Sequence, residues 1–455
     1  MIKHRILKNF SWLLFDKIIK VFLGLFVASL IARHLGPKYY GILNYSLAYI
    51  SLFLLFSKMG LDQIVVRELV KNPHTANELL GTTFTLKLLG SCVAIAMIFF
   101  SLLIIDTDQE TGAVVLIVSA AFVFQSFDVI DYYYQSKVLS KYTVIARSSA
   151  FISTSLLQIY FVFNNYSVIY FAAAYSLNFL FAALLLAYVY KKMGSSVRQW
   201  KFSIQKTKEL MVFSWPLAIS IFIMSIHARI DQVMIGNMLG SEQVGIYSTA
   251  VVISEFWYFI PVLLVNSLMP YFVKLRENNK KLYEARLTQL YSMMFWIGFI
   301  IGVFAIAFGD EVIILIFGDS YSSSYSSLVI SIWNGIFISQ AVVRGIWMIS
   351  ENLQKYRLYI NLLVVTLNVL LNYLLIPRLG IAGAAISTLI TQSLGTWCLP
   401  LFWKPIRHSS LDMIRAINPC YLYKIGMSLR VSLNKSFTKI KNGQVKVLNK
   451  ETSEK

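Results

Sequence analysis

The sequence predicts an all-α integral membrane protein with about twelve transmembrane helices, and three features support this prediction. Hydrophobic residues make up 57% of the 455 residues and charged residues only 14%, whereas soluble domains are roughly 45–50% apolar and about 25% charged. The apolar residues form long blocks, such as residues 21–32, rather than short alternating runs. Most Lys and Arg residues lie in alternate connections between these blocks.

Each apolar block is predicted to form a membrane helix. A bilayer core of about 30 Å requires roughly 20 helical residues, and lipid offers no partner to an open backbone group. The twelve block centres lie near residues 22, 50, 93, 123, 153, 178, 227, 257, 299, 338, 367 and 392. The basic N-terminus leads into an apolar stretch without a clear cleavage site, so we interpret that stretch as a retained first helix.

The distribution of charge predicts the orientation of the chain. Basic residues lie at the N-terminus, after every second span and in the tail, while the opposite connections are short and lean acidic. By the positive-inside rule, both termini are cytoplasmic. The net charge of +19 therefore indicates contact with anionic membrane lipids, and no motif indicates a nucleic-acid partner.

An internal repeat relates the two halves of the chain. Aligning Leu35-Gly36 with Leu239-Gly240 also aligns Gly41 with Gly245, at a separation of about 204 residues or six spans. An even number of spans leaves both copies in the same orientation, as in parallel-repeat transporters. The sequence thus predicts two six-helix lobes at residues 1–190 and 210–404, a cytoplasmic linker at 191–209 and a basic cytoplasmic tail at 405–455.

The most specific stretch, residues 33–73, resembles the signature of the polysaccharide transporter family. This family belongs to the multidrug/oligosaccharidyl-lipid/polysaccharide exporter superfamily and includes the Wzx-type O-antigen flippases. The matching positions are Arg33, Gly36, Pro37, Gly41, Asp62, Arg67 and Glu68. The resemblance implies two lobes around a central cavity that opens alternately to the two sides of the bacterial inner membrane. It implies an undecaprenyl-pyrophosphate-linked oligosaccharide as cargo, and the polysaccharide polymerase machinery as a partner.

The signature residues also have a physical interpretation. Gly36 and Pro37 are expected to end the first helix, since Pro cannot continue its hydrogen-bond ladder, and Gly41 begins the next helix close by. This tight outer hairpin is either a pivot for a rocking bundle or a simple turn. Arg67 is expected either to hold a neighbouring helix end through a carboxylate or to meet the pyrophosphate of the cargo.

Ionisable residues within the spans are candidates for the cargo and ion pathway, because a charge at mid-membrane costs at least about 2.5–3.5 kcal/mol. These candidates are Lys20, Arg229, Asp231, Glu255 and Arg344. The cations suit pyrophosphate or acidic sugars, and Asp231 or Glu255 suits a coupling proton or sodium ion. Arg229 is expected to meet Glu255 or the cargo. The alternative is that these residues form buried ion pairs that set helix register.

Spacing and depth predict three further arrangements. His227 and Asp231 are four residues apart and share one helix face, as do Asp16 and Lys20. Asp131 and Arg147 lie at similar depths and are expected to form an ion pair. Lys87 is expected to extend its ammonium to the cytoplasmic interface.

Several functional classes lack support in the sequence. The three cysteines are too scattered for a disulfide framework or a zinc site, and no phosphate-binding loop or metalloprotease motif occurs. We therefore predict no catalytic residue, no metal and no cofactor. A multidrug/cation antiporter and a lipid II flippase remain alternatives within the superfamily. A membrane-embedded polymerase or glycosyltransferase typically carries a large catalytic loop, which this chain lacks.

Overall fold

The computed structural model describes residues 2–105, 107–351 and 353–421, and these residues form α-helices and short turns without a β-strand. The all-α prediction is confirmed. The predicted tail beyond residue 421 and the acidic Asp106 lie outside the described residues. In chain order the α-helices are α1 (Ile2–Ser51), α2 (Leu54–Lys58), α3 (Asp62–Lys71), α4 (Ala76–Ile104), α5 (Gln109–Ser119), α6 (Ala121–Gln125), α7 (Val129–Ser136), α8 (Ser140–Phe163), α9 (Val168–Lys192), α10 (Ile204–Leu239), α11 (Ser241–Glu255), α12 (Phe259–Asn278), α13 (Lys280–Phe317), α14 (Tyr325–Ser331), α15 (Asn334–Ser350), α16 (Gln354–Leu379), α17 (Ile381–Ser393) and α18 (Arg407–Arg415).

The helices have the length and composition of a multi-pass membrane protein. In the described residues, eight helical segments are long and apolar enough to cross a membrane, or nine if the bent pair Asp319–Ser331 and Asn334–Ser350 is one span. All twelve predicted centres fall in helical segments. α1 contains the first two predicted spans, which are joined at Gly36. The count of twelve stays a prediction.

The chain folds as two compact units. The first comprises Met1–Phe256, Ala305–Ile332 and Asn361–Thr391, and the second comprises Trp257–Phe304, Trp333–Ile360 and the residues from Gln392 onward. The core of the first unit includes Tyr40, Val244 and Phe317, which come from α1, α11 and α13. The lobe, linker and tail boundaries predicted from the sequence do not coincide with the limits of these two units, and they stay a prediction.

Many large apolar side chains point away from the protein. Ile104 is 85% exposed, and Phe163, Leu315 and Tyr373 are also exposed. A soluble protein rarely exposes so much contiguous apolar surface. On helices of this length, such residues are suited to contact with lipid chains.

Two glycines make the same sharp turn at equivalent places in the repeat. Gly36 interrupts α1 with φ 69° and ψ 173°, and Gly240 separates α10 from α11 with φ 91° and ψ 169°. Residues with a Cβ atom are strained at positive φ, so glycine is needed at both positions. Pro37 then starts the next helical run, where its missing N–H is not needed. The prediction that Gly36 and Pro37 end the first helix is confirmed.

The two outer hairpins, at Gly36 and at Gly240, pack against each other through a second pair of equivalent glycines. A Cβ atom on Gly41 would lie 1.7 Å from the carbonyl oxygen of Ser241, and one on Gly245 would lie 2.0 Å from that of Pro37. Ser241 and Pro37 are equivalent in the repeat, so the contact is the same in both directions, as at a two-fold axis. This reciprocity supports the repeat at the hairpins, while the arrangement of whole lobes stays a prediction.

Arg33, the first signature residue, holds the end of α13. Its guanidinium donates to the carbonyl oxygens of Ile316 at 3.0 Å and Ile314 at 3.3 Å. Nearby, the Tyr321 hydroxyl donates to the carbonyl oxygen of Ala32 at 2.8 Å. A cation at a helix C-terminus is favourable because the last carbonyl groups carry partial negative charge. Arg33 therefore fastens α13 to the outer hairpin of α1.

Candidate functional site

Asp231 on α10 is the centre of a buried polar cluster in the first unit. Its Oδ1 atom accepts a hydrogen bond from Asn372 Nδ2 at 2.6 Å. Its Oδ2 atom accepts from Thr388 Oγ1 at 2.6 Å and from the Tyr247 hydroxyl at 3.1 Å. Because Tyr247, Asn372 and Thr388 lie on α11, α16 and α17, four helices converge on one carboxylate.

Asn368 extends this cluster along α16. Its Nδ2 atom donates to Thr388 Oγ1 at 3.1 Å, and its Oδ1 atom accepts from Asn372 Nδ2 at 3.2 Å. Asn368 and Asn372 are four residues apart and share one helix face. The Oδ1 atom of Asn372 is buried and has no hydrogen-bond partner in the described part of the chain. This oxygen of Asn372 could therefore accept a hydrogen bond from a protonated group or contact a bound cation.

Among the described residues, no Lys or Arg side chain forms an ion pair with Asp231. Asp231 is only 8% exposed, and its hydrogen-bond donors in the described ranges are the neutral side chains named above. His227, one turn earlier on α10, lies within electrostatic reach, as its spacing predicts. A buried carboxylate is costly unless it is neutralised, and side-chain oxygens are the ligands that hard cations prefer. This arrangement can bind and release a proton or a small cation.

Arg229 lies two residues from Asp231 and therefore cannot share its helix face. One of its guanidinium nitrogens is 4.0 Å from the Glu255 carboxylate, and the two side chains are 39% and 43% exposed. The predicted contact with Glu255 is present, but at the outer limit of an ion pair. Arg229 is also within electrostatic reach of Tyr40 and Tyr175. Its loose pairing leaves the guanidinium accessible to an anionic ligand.

Lys20 forms an ion pair with Asp16, one turn earlier on α1, and the two side chains share a helix face as their spacing predicts. The Lys20 ammonium lies 2.8 Å from the Asp16 carboxylate, which also accepts a hydrogen bond from Ser148 of α8 at 2.6 Å. The Lys20 side chain is 31% exposed. Lys20 is therefore held at a defined place while part of its surface stays open, and its contact with cargo stays a prediction.

Lys87 on α4 is buried rather than extended to the interface. Its side chain is 1% exposed, and its ammonium donates to the Tyr132 hydroxyl at 3.0 Å and lies 3.9 Å from the Asp128 carboxylate. Tyr132 donates in turn to Asp62 at 2.9 Å. The expectation that Lys87 reaches the interface is wrong, because α7 and the turn before it place acceptors around the ammonium.

Arg147 on α8 completes this interior charge network. It lies 2.7 Å from Asp128 and 3.1 Å from Asp131, so the predicted contact with Asp131 is confirmed. With Lys87 and Asp62, the network contains two cations and three carboxylates. Such dense mutual pairing ties α3, α4, α7 and α8 together.

Arg344, in the second unit, forms hydrogen bonds with backbone carbonyl groups. It is 6% exposed, and its guanidinium donates to the carbonyl oxygens of Thr396 at 2.8 Å and Gly395 at 3.3 Å. Both carbonyl groups belong to the π-helical turn Leu394–Cys398, and such turns interrupt the regular helical bonding. Arg344 stabilises that turn in this conformation, and its role in a cargo pathway stays a prediction.

The second part of the signature, with Asp62, Arg67 and Glu68, lies in α3. Asp62 begins α3 and accepts the bond from Tyr132. Arg67 lies 3.0 Å from the carboxylate of Glu68 and 5.6 Å from the centre of the Phe213 ring. The carboxylate beside Arg67 belongs to its chain neighbour on α3 rather than to another helix, so the expected tie to a neighbouring helix end is not found in the described residues, and contact with the pyrophosphate stays a prediction.

Sequence reasoning identified Asp231 but missed the residues that surround it: Tyr247, Asn368, Asn372 and Thr388. One signal was available, since two Asn residues four apart in an otherwise apolar span are costly unless they are hydrogen-bonded. Their partners come from helices far apart in sequence, so the chain order alone did not connect them with Asp231.

Residues 6–276 match the model of a protein family described as "Polysaccharide biosynthesis protein". The match spans more than half of the chain and includes the signature from Arg33 to Glu68, as well as Arg229, Asp231 and Glu255. The chain belongs to this family. The family predicted from the signature is confirmed.

Two relatives of this polysaccharide biosynthesis family member match it over nearly their full lengths, and a third matches it over about a third of its length. The capsular polysaccharide biosynthesis protein CapF of Staphylococcus aureus is 23% identical over 410 residues, which are 88% of this chain and 99% of CapF. A putative O-antigen transporter of Shigella flexneri is 21% identical over 394 residues, or 84% of this chain and 94% of the relative. A probable flippase of Haloferax volcanii, AglR, is 30% identical over 183 residues, or 37% of this chain and 36% of AglR.

Solved structures of exporters share the fold. The lipid II flippase MurJ in an inward closed conformation has a TM-score of 0.66 at 15% identity, over 91% of this chain and 92% of MurJ. An inward-facing multidrug resistance transporter of the MATE family has a TM-score of 0.62 at 13% identity, over 91% of this chain and 96% of that protein. At these identities the likeness establishes the fold.

Proposed function

We propose that this protein is a flippase that moves undecaprenyl-pyrophosphate-linked oligosaccharide units of a surface polysaccharide from the cytoplasmic to the outer leaflet by alternating access. The family match over residues 6–276 carries the proposal, and the relatives named for capsular polysaccharide and O-antigen transport support it. We place the protein in the bacterial inner membrane with both termini in the cytoplasm. Its chemistry is binding and release rather than catalysis.

The cargo headgroup is assigned to the partly exposed cations of the first unit. Lys20 and Arg229 keep 31% and 39% of their side chains exposed although they lie in membrane-spanning helices. Charged residues at such depth face a cavity or a partner rather than lipid. Guanidinium and ammonium groups form strong charge-assisted hydrogen bonds with phosphate oxygens. The loose pairing of Arg229 with Glu255 at 4.0 Å leaves room for the pyrophosphate to replace the carboxylate.

The coupling ion is assigned to the Asp231 cluster. A proton or sodium ion bound there would neutralise the carboxylate and engage the free oxygen of Asn372. Each of the four helices α10, α11, α16 and α17 contributes a side chain to this cluster. Ion binding there would therefore change the packing of all four helices together. A ligand that prefers one packing shifts the population toward it, which would couple the ion gradient to cargo movement.

Transport in proteoliposomes tests both assignments. The protein is reconstituted with a fluorescent undecaprenyl-pyrophosphate oligosaccharide, and translocation is measured as protection from an external lectin under an imposed proton or sodium gradient. We expect Arg229→Gln to slow translocation at least about tenfold, since one charge-assisted contact contributes about 1.5–3 kcal/mol. We expect Asp231→Asn to abolish the acceleration by the gradient.

Asp319→Asn serves as the matched control, because Asp319 is an exposed carboxylate in the turn after α13. Full gradient acceleration in Asp231→Asn would refute the ion assignment. Transport of a lipophilic cation such as ethidium, without movement of the lipid-linked sugar, would instead establish a drug exporter and overturn the flippase proposal.

A further inference from the structure

A pocket of about 380 Å³ lies in the first unit between α3 with its following turn and the first turns of α10. This volume is within the roughly 300–1,000 Å³ of typical ligand pockets. Its charged lining consists of Arg67, Glu68, Lys71, Lys206 and Glu209. The charge pattern of the chain predicts that this end of the helices faces the cytoplasm, at the depth of lipid headgroups.

The three cations of the pocket are available to an anion. Lys71 makes no ion pair in the part of the chain that the structure describes. Arg67 pairs with its neighbour Glu68 at 3.0 Å, and Lys206 pairs with Glu209 three residues later at 2.6 Å. Both pairs are local and partly exposed, so water screens them and they contribute little to stability. A phosphate group that accepts bonds from these cations can displace the carboxylates readily.

Exposed apolar side chains of α10 lie in and beside the pocket. Phe213 lies beside the Arg67 guanidinium and is 58% exposed, while Ile204 and Val212 on the same helix are each 66% exposed. α10 is a membrane-spanning candidate, so such side chains are suited to contact with lipid chains. Cations bordered by lipid-facing side chains fit a molecule with an anionic head and an apolar tail better than a soluble anion.

Gly60 holds the two walls of the pocket together. A Cβ atom on Gly60 would lie 2.6 Å from the backbone nitrogen of Ala218 and 2.7 Å from the carbonyl oxygen of Ser214. The turn that precedes α3 therefore touches the backbone of α10 directly. This backbone contact fixes the relative position of the two helices that carry the cations before a ligand binds, which favours binding.

We propose that this pocket binds the phosphate headgroup of a lipid through Arg67, Lys71 and Lys206. Two lipids offer that group at this face of the membrane: an anionic phospholipid of the leaflet, and a polyprenyl pyrophosphate before its uptake. The proposal concerns binding alone, so it does not depend on the proposed flippase activity.

Native mass spectrometry of the full-length protein in neutral detergent tests the proposal. The protein is titrated separately with phosphatidylglycerol, with undecaprenyl pyrophosphate and with diacylglycerol, which lacks phosphate. The variant Arg67→Gln/Lys71→Gln/Lys206→Gln is compared with Lys191→Gln/Lys192→Gln/Arg198→Gln, which removes the same charge at exposed positions outside the pocket. Each cation near an anionic lipid changes affinity about fivefold, so the pocket variant is expected to bind about a hundredfold more weakly.

The outcomes identify the source of the phosphate. If the pocket variant binds phosphatidylglycerol more weakly than the control variant does, the pocket is assigned to membrane phospholipid. If the pocket variant binds only undecaprenyl pyrophosphate more weakly than the control does, the pocket is assigned to the cargo lipid. Equal affinities of the pocket and control variants for both lipids would overturn the proposal. The single change Lys71→Gln breaks no ion pair of the described chain and is expected to weaken binding about fivefold. An unchanged Kd for this variant would overturn the assignment even if the triple variant fails to fold.

Discussion

The reciprocal contact of the outer hairpins makes Gly41→Ala and Gly245→Ala a coupled pair of substitutions. The added methyl carbon would lie 1.7 Å from the Ser241 carbonyl oxygen or 2.0 Å from that of Pro37, whereas ordinary contact begins at 3.4 Å. Overpacking typically costs about 1–3 kcal/mol. Because the obstacle is backbone and cannot rotate away, we expect a loss of about 3 kcal/mol in unfolding free energy for each variant.

Both clashes lie between α1 and α11, so one movement that separates these two helices would relieve both. The double variant should therefore lose less stability than the sum of the losses of the two single variants. Contacting sites typically show coupling energies of about 0.5–3 kcal/mol. Unfolding in detergent, followed by size-exclusion fluorescence, measures these losses. The control is Gly112→Ala in α5, where a Cβ atom meets nothing within 4 Å and Ala is favoured over Gly. Additive losses, or a Gly41→Ala variant as stable as Gly112→Ala, would refute the reasoning.

Lys87→Met should lower the unfolding free energy by about 1–3 kcal/mol, because the buried Tyr132 hydroxyl loses its donor and Asp128 keeps only Arg147 as a cation; unfolding in detergent tests this, and unchanged stability contradicts it. In the second unit, Arg276 donates two 2.8 Å hydrogen bonds to Glu351 and thereby lowers the pKa of Glu351. The resulting stability, about 1 kcal/mol, is present above the usual glutamate pKa and is lost as pH falls through the lowered value. Between pH 7 and pH 3 the wild type should therefore lose more stability than Glu351→Gln, and equal losses in thermal unfolding would contradict the assignment.

Features that depend on local spacing or on membrane depth were predictable. The pair Asp16–Lys20 follows from a four-residue spacing, and the turn at Gly36 follows from the chemistry of Gly-Pro. The contacts of Arg147 with Asp131 and of Arg229 with Glu255 were found by comparing depths on neighbouring spans. In lipid, depth limits the partners of a charge because a charge without a partner is costly.

Features that depend on the lateral order of the helices were not predictable. From the sequence, the Lys87 ammonium was expected to reach the interface. The sequence does not show that Tyr132 and Asp128 approach it, because that approach depends on how α4 packs against α7. Arg344 was a cargo candidate by depth, and only the structure shows its bonds to the turn at Leu394–Cys398. The partners of Asp231 come from helices up to 157 residues away along the chain.

The amino-acid sequence by itself determined the membrane class, the helices, the glycine turns of the repeat and the family. The membrane class and the helices depend on composition and periodicity, because lipid forces each apolar segment to satisfy its own backbone hydrogen bonds, whereas the family follows from the resemblance of residues 33–73 to its signature. Only the tertiary structure decided which polar side chains meet: the oxygens around Asp231, the interior network at Lys87 and the cationic pocket beside α10. Contacts between helices depend on how each helix is rotated about its own axis and on which helices lie beside it. The pattern of hydrophobicity along the chain does not determine either.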